Sequence, residues 1–237
     1  MSNENQKKQP VDNDVIDEII KILEKSILKY QLPIVTQIRI KTNKPFVVLI
    51  STMLSLRTKD KITKEATMRL LELGDSPEKL LKFSQEKIEK AIYPVGFYKT
   101  KARNILKTSQ ILKEKYNGEV PKDMNGLLEL PGVGRKTANL VLGEAFNIPS
   151  ICVDTHVHRI SNRLGYVSTY NPNETEFALR EKLPQKYWIR YNTLLVTLGQ
   201  NICLPRSPLC SKCPIEKYCP KIGVKKADNK NSSLSII

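Results

Sequence analysis

The sequence predicts an all-α protein. Apolar residues recur at three- and four-residue spacing along most of the chain, and no stretch sustains the period-2 alternation of a strand. Cap residues and prolines at segment starts divide the pattern into roughly ten helices. The 237 residues suffice for one large domain or two small ones with a substantial core. No internal repeat of fixed period is present.

Residues 1–13 are polar and expected to be disordered. Residues 14–30 read as a helix with Ile16, Ile19, Ile20, Leu23 and Ile27 on one face. Pro33 and a loop to Lys44 follow. Pro45 suits a first helical position, and 45–56 is apolar enough to be buried on most sides. Residues 58–73 form the next helix, with Gly74 as its stop. Ser76 followed by Pro77 starts a short helix, and Ser84 caps another that runs to Ala91. Pro94-Val95-Gly96 breaks the chain before a longer helix over 98–116. Helices over 123–130 and 135–146 flank Leu130-Pro131-Gly132-Val133-Gly134, which is too rich in Pro and Gly to be helix interior. Helices over 155–164, 172–183 and 186–198 complete the fold, and the tail 223–237 is expected to be disordered.

Lys and Arg total 39 against 24 acidic residues, a net charge of +15 and a pI near 9.6. That excess favours a polyanion partner, nucleic acid first, through counterion release. A membrane-surface role is the competing reading. No long apolar run or strongly amphipathic basic segment supports it. The polar N-terminus does not read as a signal peptide, so an intracellular, cytoplasmic protein is expected.

The glycine-rich turn between two helices is the chemically informative stretch. Gly132 and Gly134 can take positive φ and let another backbone approach. Gly132, Val133, Gly134 and Arg135 place backbone amides at a helix N-terminus, an anion site suited to a DNA phosphate. Lys136 sits in the first turn of that helix. The positive helix end and neighbouring Arg135 both disfavour an ammonium there, and covalent attack on carbon requires the free amine. Asp154 lies 154 − 136 = 18 residues on. The helix advances roughly 15 Å at ~1.5 Å per residue. The following loop reaches back roughly 23 Å at ~3.3 Å per residue, enough to set Asp154 near Lys136. Asp154 before Thr155 also reads as an N-cap, and a lone helical Lys is ordinarily a solvated residue. The pairing of the two is what points to chemistry.

Four of the five cysteines fall in the run Cys203-x6-Cys210-x2-Cys213-x5-Cys219. The odd count and the intracellular reading argue against a disulfide framework. Four clustered thiolates hold either a tetrahedral zinc or an iron–sulfur cube, and spacing leaves both open. Cys152 reads as a small buried apolar residue.

The segments LPGVGRKTA at 130–138 and VDTH at 153–156, with the cysteine pattern, resemble the helix-hairpin-helix base-excision glycosylases, and in particular the endonuclease III family. The resemblance covers roughly residues 15–222. It implies two helical lobes with a cleft between them. One is a six-helix lobe over 36–145 that carries the hairpin; the other combines 14–35 with 146–222 and holds a [4Fe-4S] cluster on Cys203, Cys210, Cys213 and Cys219. It implies a monomer acting on double-stranded DNA with oxidised pyrimidines or abasic sites, Lys136 as Schiff-base nucleophile and Asp154 as the essential carboxylate. Strand cleavage by β-elimination on the 3′ side would follow. Arg57 stands where the family often has a Gln, and Phe97 where it has a Leu wedge; both are expected to fill the gap left by a flipped base. They leave the lesion and the opposite-base preference open. The alternatives are a G·T or G·U mismatch glycosylase of the same fold and a non-catalytic, metal-stapled DNA-binding protein. Asp60 reads as support or a cap, His156 and His158 as packing or DNA-facing residues, and Trp188 and Tyr191 as core.

Overall fold

The computed structural model describes residues 9–224; the expectations of disorder at 1–8 and 225–237 lie outside them. Among the described residues there are twelve α-helices and no strand. They are α1 (Asn13–Ser26), α2 (Ile34–Thr42), α3 (Pro45–Ser55), α4 (Asp60–Leu73), α5 (Pro77–Leu80) and α6 (Gln85–Ile92). The second half holds α7 (Tyr98–Lys115), α8 (Met124–Leu128), α9 (Arg135–Phe146), α10 (Thr155–Arg163), α11 (Pro172–Lys182) and α12 (Trp188–Asn201).

Two hydrophobic cores organise these helices. The first gathers Ile16, Ile20 and Leu23 of α1 against Val157 and Ile160 of α10, Leu179 of α11 and Leu195 of α12. Tyr191 lies fully inside it, its hydroxyl 3.1 Å from Ser161 Oγ. The second gathers α3 through α9, with Leu49, Leu54, Leu70, Ile88, Ile105 and Val141 at its centre. A smaller cluster seats Ile34, Val35 and Ile38 of α2 on Val47 and Val48 of α3. The N- and C-terminal parts of the chain thus build one core and the middle builds the other.

The structure departs from the sequence reading in three places. The stretch after Pro33 is not a loop but α2. Its start has no side-chain cap of its own; Asp60, 26 residues away, accepts the Ile34 amide at 3.2 Å. α4 starts at Asp60 rather than near Thr58, because Arg57 takes a left-handed backbone (φ 53) that ends the preceding helical path. The packed chain also begins before Asn13. Val11 is buried and donates its amide to Leu164 O at 3.0 Å, and Asp12 caps α1.

α10 and α12 approach closely enough to demand a glycine. A Cβ on Gly199 would lie 2.4 Å from His156 Nδ1 and 3.0 Å from Arg159 Nη2. Gly199→Ala is therefore expected to lower stability by about 1–3 kcal/mol through overpacking, despite the helix preference for Ala. Urea titration checks this; a stabilised variant would refute the contact.

Candidate active site

A cavity of about 460 Å³ opens between the two cores. Lys136 reaches it from the first turn of α9, Asp154 from the N-cap of α10, and Asn192 and Gln200 from α12. Arg57 and Asp60 line it from the α3–α4 turn. Lys136 belongs to a helix of one core and Asp154 to a helix of the other, so the cavity needs both.

The hairpin before α9 is built on a buried anchor and two exposed glycines. Val133 is 7% exposed, its side chain is in the core, and its amide donates to Leu130 O at 3.0 Å. Only its backbone neighbourhood faces out. Gly132 has φ 84, and a Cβ there would meet Asn104 Nδ2 at 2.7 Å. Gly134 instead has φ −104, an ordinary extended value, so conformational freedom is not what this position uses. A Cβ at Gly134 would meet nothing within 4 Å of protein. Gly134 is the N-cap of α9 and supplies no side-chain cap, so the first amides of the helix open outward. Uncapped amides at a helix start can hold an anion.

The Arg135 side chain has partners that the sequence does not reveal. Its guanidinium binds the buried Glu176 at 2.6 and 3.3 Å and stacks on the Phe177 ring at 5.0 Å. Burial works against the Glu176 carboxylate, but bonds from Arg135, Asn139 and Arg180 outweigh it and hold that carboxyl below its ordinary range. Arg135 is therefore a paired strut between α9 and α11 rather than a loose cation beside Lys136.

Asp154 is the N-cap of α10 and also lines the cavity. Its Oδ1 accepts the amides of His156 at 2.8 Å and Val157 at 2.9 Å, the N-cap arrangement. Oδ2 takes no hydrogen bond among the described residues. The cap thus fixes the rotamer of a carboxylate that also lines the cavity. His156 lines it too, and burial pushes its imidazole below the ordinary value. Cys152 is buried at the cavity wall, and burial pushes its thiol up to about 12.

Arg57, at the cavity wall, and Phe97, which does not line the cavity, come together. Both have left-handed backbones, φ 53 and φ 58, and both are exposed. The guanidinium carbon sits 5.6 Å from the centre of the Phe97 ring. Phe97 is 64% exposed, which excludes a core role.

Cys203, Cys210, Cys213 and Cys219 line one void together with Arg163. Burial pushes the Cys213 thiol up to about 11 and raises that of Cys219. Among the described residues no three His, Cys, Asp or Glu side chains close on a single ion. The buried Arg163 donates to Cys203 Sγ at 3.2 Å, to Leu204 O at 2.7 Å and to Pro205 O at 2.9 Å. Arg159 donates to Cys203 O at 2.8 Å and contacts His156 Nδ1 at 3.1 Å. Sequence reasoning passed over both arginines. Their spacing of four along α10, after His156, is a readable helical face that joins the thiol loop to the cavity. Of the basic residues on that loop, Lys217 pairs with Glu18 at 3.4 Å, while Arg206 and Lys212 are exposed.

Residues 50–185 match the HhH-GPD family, described as a superfamily of base excision DNA repair proteins. The all-helical fold and the hairpin define the same class. The chain is 49% identical over 179 residues to endonuclease III of Thermotoga maritima, covering 76% of this chain and 84% of that protein. It is 48% identical over 184 residues to the chloroplastic endonuclease III homolog 2 of Arabidopsis thaliana, covering 74% of this chain and 48% of that longer protein. It superposes on a non-covalent endonuclease III–DNA complex with TM-score 0.78 at 35% identity, covering 88% of this chain and 95% of that one. For a trapped endonuclease III–DNA covalent intermediate with an estranged adenine the TM-score is 0.72 at 35% identity, covering 86% and 94%. The chain belongs to the endonuclease III family of DNA glycosylases and AP lyases. That sets aside the non-catalytic reading. Among the described residues no helix is long and apolar enough to cross a membrane.

Proposed function

We propose that this chain is a bifunctional base-excision enzyme that removes oxidised pyrimidines from double-stranded DNA and cuts the strand 3′ to the resulting abasic site. The carrying observation is that Lys136 and Asp154, from helices of different cores, line one cavity. A lesion flipped out of the stack enters that cavity while the α9 amides hold a backbone phosphate. Lys136 Nζ, freed of its proton, attacks C1′. The C1′–N1 bond breaks, and the base leaves with the electron pair and takes up a proton. Asp154 assists deprotonation of Lys136 and stabilises positive charge developing at the sugar. The nitrogen lone pair then opens the sugar ring: the C1′–O4′ bond breaks, O4′ takes up a proton, and the lysine is left as a protonated imine with C1′. Loss of a C2′ proton expels the 3′ phosphate, and water releases the enzyme. Arg57 and Phe97 fill the gap opposite the orphaned base.

Cys203, Cys210, Cys213 and Cys219 are the residues that would hold a [4Fe-4S] cluster. The four cysteines line one shared void, and membership of the endonuclease III family favours the cube over a single zinc. Such a group would cross-link the 203–219 loop on itself, while Arg159 and Arg163 tie that loop to α10. Iron and sulfide analysis tests it, and stoichiometric zinc would overturn it. The enzyme acts as an intracellular monomer on genomic DNA.

Borohydride trapping tests the reaction. Duplexes carrying thymine glycol, an abasic site or a G·T mismatch are each mixed with the enzyme and reductant. Covalent complexes with the first two and none with the mismatch are expected. Trapping on the mismatch at equal rate would move the specificity to mispaired pyrimidines. Base release without trapping would make the enzyme monofunctional.

A further inference from the structure

Lys101 is a buried cation whose hydrogen-bond partners are two backbone carbonyls and a hydroxyl rather than a carboxylate. It is 8% exposed, in the first turns of α7. Its Nζ donates to Leu54 O at 2.8 Å, Leu56 O at 2.5 Å and Thr58 Oγ1 at 3.2 Å. Leu54 lies in the last turn of α3 and Leu56 is its C-cap, where helix carbonyls have no partner of their own. Burial pushes the Lys101 ammonium down to about 8. A cation is held in the interior at a penalty, and what it holds is the turn that carries Arg57.

The same turn is tied to the Phe97 loop. Thr58 Oγ1 accepts the Gly96 amide at 3.3 Å and lies 3.2 Å from Leu56 O. A Cβ on Gly96 would lie 2.8 Å from Arg57 O, a backbone atom that cannot swing away. Arg57 and Phe97 both sit in left-handed conformations that L residues seldom adopt, and their side chains touch at 5.6 Å. Two exposed side chains on separate loops are thus registered through one buried lysine, one threonine and one glycine.

We propose that Lys101 is a positioning residue that locks Arg57 and Phe97 into one preformed wedge, and that it thereby sets how the enzyme opens the duplex and reads the orphaned base. This rests on the proposal that Arg57 and Phe97 enter the DNA. A preformed wedge avoids ordering two loops on binding, the general benefit of preorganisation. A lesion that is still stacked needs the wedge. A preformed abasic site has no base to extrude and needs it least.

The test compares Lys101→Met and Gly96→Ala with wild type on two duplexes, one with thymine glycol and one with a preformed abasic site. Met keeps the length of the side chain and removes its donors; Ala displaces the other side of the junction, so the test survives if one variant fails to fold. Single-turnover base release is expected to fall about tenfold or more, while abasic-site cleavage changes by less than about threefold. 2-Aminopurine placed opposite the lesion is expected to lose most of its fluorescence rise on binding. Equal loss on both duplexes, or an unchanged 2-aminopurine signal, would reduce Lys101 to a structural residue and overturn the proposal. Arg57→Ala and Phe97→Ala separate the two ideas. If they leave the lesion-to-abasic ratio unchanged, the wedge reading itself fails. If they shift it and Lys101→Met does not, only the role of Lys101 fails.

Discussion

Lys136→Gln is expected to abolish the borohydride-trapped complex and to lower base release by at least about a thousandfold. Gln keeps much of the side-chain volume but offers no nucleophilic amine. Lys136 is exposed at the cavity mouth and carries no core packing, so the variant should unfold within ~0.5 kcal/mol of wild type. Binding to the abasic duplex should persist, because the α9 amides and the basic surface remain. The cleanest measurement is single-turnover kinetics on the thymine glycol duplex beside a gel-shift titration. Lost catalysis with retained affinity assigns Lys136 to the covalent step. Residual trapping in the variant would mean that another amine forms the imine, and the assignment would fall.

Most of the helices and the glycine-rich hairpin were legible in the sequence for different physical reasons. Helices with an apolar face and a local start signal, such as α1 with Asp12 or α11 with Asn171 and Pro172, show themselves in a short window. α2 does not. It is nine residues long, its cap comes from Asp60 across the fold, and its apolar side is covered by α3. Only its stop was local, Asn43 in a left-handed conformation (φ 49). The hairpin and Asp154 were legible because glycine and an acidic cap each leave a residue-type signature. Partners in three dimensions were not. Glu176, which pairs with Arg135, lies 41 residues away, and Lys101 meets Leu54 and Leu56 across 47 and 45. The role of a long basic side chain depends on which carbonyl or carboxylate the fold brings to it. For Arg135, Lys101, Arg159 and Arg163 that was visible only after folding.

Asp154 is an N-cap and, as proposed, a catalytic charge in one carboxylate, and two substitutions pull these apart. Asn and Asp are nearly equal as N-caps, so Asp154→Asn should keep the bonds to the His156 and Val157 amides and cost less than ~0.5 kcal/mol. It removes the negative charge. Base release should then fall about a hundredfold or more, as when a preorganised electrostatic partner is lost. Asp154→Ala loses both the cap and the charge, so it should add ~0.5–2 kcal/mol of destabilisation to a similar loss of rate. Urea titration and single-turnover kinetics on both variants give the comparison. If Asn retained activity while Ala lost it, Asp154 would act only by shaping the start of α10, and the charge would have no part in the chemistry. If both lose activity and only Ala loses stability, the helix cap is the means by which the fold aims a charged catalytic group across the cleft toward Lys136.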